Sequence, residues 1–157
     1  MVIIEMDNGG IIKLELDEKA APITTENFLN LVKEGFYDGL TFHRVIAGFM
    51  IQGGDPLGNG MGGSKNNIKG EFKSNGFDNP IKHVRGVISM ARAQDPNSAS
   101  SQFFIMHADA PYLDGQYAAF GKVVEGMDVV DQIACVPTDL RDMPTHPVIM
   151  KRVYIAE

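Results

Sequence analysis

No disulfide can form within this chain, because Cys135 is its only cysteine, and a lone thiol is most simply a small apolar residue. Also missing is any apolar run near the ~20 residues that a membrane-spanning helix needs. The opening MVIIEMDNGG lacks the basic segment and small-residue cleavage site of a secretory leader. A soluble, cytoplasmic protein with no membrane contact is expected. Basic charge is in deficit: 14 Lys and Arg against 20 Asp and Glu leave −6. No Lys/Arg run compensates locally, so nucleic acid is not an expected partner. His43, His83, His107 and His146 are the only histidines. They are scattered without a ligand-like spacing, so no metal site and no cofactor is expected.

What is present suffices for one core. A chain of 157 residues that is 44% hydrophobic can bury about two thirds of its unfolded surface as a single domain, here residues 1–157, without staples. A monomer is expected. Residues 2–6 and 11–16 are apolar runs joined by Asp7-Asn8-Gly9-Gly10, whose Asn-Gly step supplies the positive φ angles of a tight hairpin. Pro22 begins a helix predicted to run to Glu34, with Gly35 as its stop. Phe28, Leu31 and Val32 form its buried stripe, with Glu26, Asn27 and Lys33 toward water. Further strands are predicted over 86–91, 102–107, 118–124 and 148–155, and Met127, Val130, Ile133 and Ala134 mark a second helix. Some eight short strands that do not alternate with helices predict a mainly β fold, a closed eight-stranded antiparallel barrel capped by two α-helices.

Residues 42–55, FHRVIAGFMIQGGD, read as two strands bent at Ala47-Gly48, with Phe42, Val45, Ile46, Phe49, Met50 and Ile51 as their half-buried positions. Arg44 and Gln52 stand out against them. A guanidinium fork and an amide together can grip a peptide, although an arginine on a strand more often makes a surface ion pair. Residues 53–80 are rich in glycine, asparagine and lysine and read as a long functional or mobile loop. Gly58-Asn59-Gly60-Met61-Gly62-Gly63 matches the dinucleotide pattern G-x-G-x-x-G in letters only, since no helical stripe follows it. Strand alternation puts Met50 with Gln52 on one face, and Gln102 with Phe104 and Met106 on one face. Aromatic, thioether and amide groups thus converge on one groove.

The segments FHRVIAGFMIQGGD, SSQFFI and LDGQYAAFGKVVEGMDVV are similar, in order and over nearly the whole chain, to the signature segments of the cyclophilin-type peptidyl-prolyl cis-trans isomerases. The resemblance implies catalysis of rotation about X-Pro bonds in peptides and in unfolded or proline-containing proteins, assisting their folding. Arg44 matches the catalytic arginine. Phe49, Met50, Gln52, Phe104 and Leu113 match the proline pocket and substrate groove, and Ala91, Arg92, Ala93 and Gln102 match the groove wall, whose backbone aligns the peptide.

Some positions depart from the pattern. Tyr112 stands where cyclosporin-sensitive members usually carry Trp, which replaces an indole donor by a phenol and implies weak cyclosporin binding. Tyr117 replaces a groove His. Ala47 replaces a common Pro and is expected only to loosen the bend, while Arg92 replaces a common Asn and is expected to change charge preference but keep catalysis. The specificity pocket beside Ala93 and the loop around Glu71 and Lys73 stays undefined. A second class, a proline-peptide binding module or holdase, is kept open by Tyr112 and Tyr117.

Overall fold

The computed structural model describes residues 1–156. The chain opens with the hairpin of β1 (Val2–Met6) and β2 (Ile11–Leu16). Gly9 takes a φ of +91° in its turn, and the Asn8 side chain accepts from Gly10 N at 2.9 Å. Helix α1 (Pro22–Lys33) follows, close to the predicted span. Ala21 offers it no side-chain cap. Its first-turn amides at Ile23 and Thr24 donate instead to the buried Glu71 carboxylate at 3.2 and 2.7 Å, where charge complements the positive end of the helix.

Strands β3 (Phe42–Ile46), β4 (Met50–Gly53), β5 (Val87–Met90), β6 (Phe103–Met106) and β7 (Ala119–Glu125) lead to α2 (Met127–Ala134) and β8 (Met150–Ile155). The sheet order is β3-β4-β6-β5-β7-β2-β1-β8, with every named pairing antiparallel. Alternation divides β6 between two cores. Phe103 and Ile105 join the main core with Phe28, Phe42, Ile51 and Phe120. Phe104 and Met106 face the other way, with Met50, Val87, Ala110 and Ala119, into a smaller cluster ringed by Ile46, Phe49, Leu113 and Tyr117. That second cluster floors the groove.

The closed barrel is not formed: the sheet is a curled half-barrel whose edge strands β3 and β8 share no ladder. Among the described residues they meet at their lead-in, through the bridge of Thr41 with Ile149 and bonds such as Phe42 N to Val148 O at 3.0 Å. Farther along, Val45 N donates to Asp142 O at 2.7 Å, so a loop covers the β3 edge. The segment ahead of β8 carries Pro137, Pro144 and Pro147, which cannot donate to a ladder and so shorten the strand predicted from residue 148. Asn27 also departs from expectation. It is half-buried and its amide donates to Ser100 O at 2.7 Å.

Candidate functional site

Pairing of β3 with β4 sets Arg44 directly opposite Gln52. The intervening turn contains Phe49, which therefore lies outside the strand that its apolar character suggested. Gly48 turns with a φ of +78°, and its N–H donates to His107 Nδ1 at 2.8 Å. The His107 amide in turn donates to Phe49 O at 2.9 Å. Because Nδ1 accepts, the ring proton sits on Nε2, 3.1 Å from Asp131 Oδ1. Arg85 grips that carboxylate with two bonds of 2.7 Å and holds its pKa below the usual range. The bend that Ala47 was expected to loosen is thus fastened by His107.

A line of polar side chains runs along the groove. Arg44 Nη1 donates to Gln52 Oε1 at 3.4 Å, and Gln52 Nε2 to Gln102 Oε1 at 3.0 Å. Gln102 Nε2 then donates to the carbonyls of Gly60 and Gly62 at 3.0 and 2.8 Å. Those carbonyls belong to the glycine loop, whose amides turn inward: Leu57, Asn59 and Gly60 donate to Asp55. Burial alone would raise the Asp55 pKa, but these backbone donors outweigh it and hold the carboxyl below its usual value. The G-x-G-x-x-G letters therefore encode a nest around the chain's own carboxylate. Among the described residues Arg44 has no carboxylate within ion-pair distance, so the ordinary ion-pair reading fails for it.

These groups open onto a pocket of about 120 Å³. Arg44 and Gln52 form its polar side, Phe49, Met50, Phe104, Leu113 and Tyr117 its apolar cup, and Ala91 with Arg92 its far wall. Ala93 and Gln102 line an adjoining polar pocket of about 350 Å³, bordered by Gly60, Gly62, Ser98 and Ser100 and sharing Gln52, Ala91 and Arg92 with the first. Glu71 borders neither pocket, because it is buried at the start of α1. Tyr112 is 70% exposed at the rim, its ring 6.1 Å from that of Phe49.

Beneath the cup lies His83, which sequence reasoning left unassigned. Its ring stacks on Phe104 at 6.0 Å, with Nδ1 3.1 Å from Asp114 Oδ1 and Nε2 2.9 Å from Ser89 Oγ. His43, also buried, has no hydrogen-bond partner for either ring nitrogen among the described residues. Burial lowers the pKa of both rings, overriding the carboxylates Asp114 and Asp55 that act to raise it. An unfolded histidine titrates near 6.5. Above that pH both states hold neutral rings. As pH falls from about 6.5 toward the lower native values the unfolded chain binds more protons, so stability is lost, by at most ~1.4 kcal/mol per pH unit for each ring. Urea unfolding at several pH values between about 7.5 and 5.5 is expected to show this decline, with a shallower slope in His83→Gln. A flat profile would contradict it.

Asp55, His83 and His107 are the supporting positions around the groove that the sequence did not disclose. The only local signal was the aspartate placed directly before a glycine-rich stretch. Comparison with known proteins completes the picture. Residues 1–155 match the family described as cyclophilin type peptidyl-prolyl cis-trans isomerase/CLD. The chain is 46% identical over 158 residues to peptidyl-prolyl cis-trans isomerase ppi1 of Schizosaccharomyces pombe, covering 99% of this chain and 100% of that one. It is 52% identical over 128 residues to a peptidyl-prolyl cis-trans isomerase of Helicobacter pylori, covering 80% of this chain and 76% of the relative. A crystal structure of a cyclophilin type isomerase from Cryptosporidium parvum, in the presence of the dipeptide Ala-Pro, superposes with a TM-score of 0.91 at 35% identity, covering 99% and 98% of the two chains. The fold, the groove and these relatives agree: this chain belongs to the cyclophilin-type peptidyl-prolyl cis-trans isomerases.

Proposed function

We propose that the pocket behind Arg44 holds a substrate proline and that Arg44 is the catalytic residue. The observation that carries this is a guanidinium with no carboxylate partner among the described residues, at the mouth of an apolar cup. Rotation about an X-Pro bond passes through a twisted amide, and the barrier of about 18–20 kcal/mol is the lost resonance. Twisting localises the lone pair on the prolyl nitrogen. A donor aimed at that nitrogen stabilises the twisted state more than the planar one, which is what accelerates the reaction. Gln52 anchors one flank of the peptide while the other rotates, and the apolar cup favours the less polar twisted amide. Lowering the barrier by about 7 kcal/mol gives on the order of 10⁵-fold acceleration. The protein's own residues supply every role in this scheme.

Its substrates, in this reading, are X-Pro peptides and unfolded proline-containing proteins, as the Ala-Pro dipeptide with the Cryptosporidium protein suggests. Action as a monomer in the cytoplasm belongs to the same proposal and rests on composition. NMR exchange spectroscopy on an X-Pro peptide tests it: cis and trans signals are expected to interconvert far faster than in tens of seconds. Binding without faster exchange would instead identify a proline-peptide module or holdase. Cyclosporin is expected to bind weakly, because Tyr112 offers no indole donor. Tyr112→Trp is expected to tighten it about tenfold by titration calorimetry, the scale of one added hydrogen bond. Tight binding by the unaltered protein would refute this.

A further inference from the structure

The substitutions at positions 92 and 117, which the sequence presents as two separate departures, meet in space. The Arg92 guanidinium lies 4.8 Å from the Tyr117 ring centroid and 4.9 Å from that of the buried Phe72. Its Nε and Nη2 both donate to Gln116 O, at 3.1 and 2.7 Å, and Nη1 donates to Ala93 O and Gln94 O at 2.9 and 3.2 Å. Among the described residues no carboxylate pairs with it. The planar fork is therefore occupied by backbone carbonyls of two segments, the groove wall at 93–94 and the loop at 116–117, and its faces by aromatic rings. Tyr117, so held, sets its ring edge-on to Phe104 at 5.7 Å and 87°.

We propose that Arg92 is a positioning residue which, together with Tyr117, forms one clamp that shapes the wall between the two pockets. This rests on the reading of the smaller pocket as the proline site. In this reading Arg92 acts through its contacts with this chain, and not only through any charge preference in the peptide. A wall packs against the proline ring in the planar and twisted states alike, so losing the clamp weakens binding uniformly and raises KM while sparing kcat.

The test is a double-mutant cycle of Arg92→Lys and Tyr117→Ala, read by exchange kinetics on an X-Pro peptide with thermal melts as the fold control. Lysine keeps the charge but lacks the fork and the planar stack. Each single variant is expected to raise KM about fivefold to tenfold, and the double variant to be no worse than Tyr117→Ala alone. In the free protein, the Arg92 Nε–H resonance is expected to shift and to exchange faster with water in Tyr117→Ala. Independent, multiplicative losses, an Arg92→Lys variant with unchanged KM, or an unmoved Nε–H resonance would overturn the clamp. Arg44→Ala separates the two levels of inference. If that variant loses activity while the cycle is multiplicative, only the clamp fails; if the unaltered protein gives no exchange, the proline-site reading itself fails.

Discussion

Replacing Arg44 with alanine is expected to lower kcat for X-Pro isomerisation by a factor on the order of 10² to 10³, the usual cost of removing one donor aimed at a transition state. KM is expected to change little, because a bond formed to the prolyl nitrogen only after it pyramidalises contributes nothing to ground-state binding. The fold is expected to survive. Arg44 is exposed on β3, where its side chain makes a long bond of 3.4 Å to Gln52, and surface changes of this kind usually stay within about 0.5 kcal/mol. Arg44→Lys keeps a point charge without the rigid fork and should recover only part of the rate. Exchange spectroscopy at saturating peptide, with a thermal melt beside it, decides the matter. An undiminished rate in a folded Arg44→Ala protein would remove Arg44 from the mechanism.

The second large effect is expected at Asp55, which lines neither pocket. The residue is 1% exposed, and its carboxylate collects the amides of Leu57, Asn59 and Gly60. Hydrogen bonds to a charged group contribute about 1.5–3 kcal/mol each, but water can replace part of that where the loop is exposed. Asp55→Ala is therefore expected to cost about 3 kcal/mol, a fall in Tm of about 6–12 °C in a domain of this size. Activity is expected to fall about tenfold even below the new Tm, because Gln102 loses the Gly60 and Gly62 carbonyls that fix Gln52 beside Arg44, and a small misplacement of a positioning group is costly. Asp55→Asn retains one acceptor oxygen and should fall between. Acid should reproduce the effect: the native carboxyl titrates below its ordinary value, so its stabilisation is present above about pH 3.8 and lost as pH falls through the native pKa. A variant with unchanged Tm and rate would show that the loop holds itself.

Local chemistry made much of this molecule legible in the chain. The Asn8-Gly9 step, Pro22 ahead of α1 and the spacing of Phe28, Leu31 and Val32 are interactions among near neighbours, so a sequence pattern carries them directly. The groove lining was legible for the same reason, since alternation along β4 and β6 alone puts Met50, Gln52 and Phe104 on shared faces. Proline placement decided what alternation could not. The chain ahead of β8 carries Pro137, Pro144 and Pro147, which cannot donate to a ladder, and neither hydrophobic pattern records that.

Sequence by itself thus determined most of the strands, both helices and the family, because each rests on short-range periodicity or on a contiguous motif. Only tertiary structure decided which polar groups work together. Glu71 caps a helix begun at Pro22, Asp55 organises the loop that supports Gln102, His107 fastens the bend beside Phe49, and Arg92 meets Tyr117. These pairings follow from where the half-barrel returns the chain, and a polar residue in sequence carries no mark of the distant partner that will satisfy it.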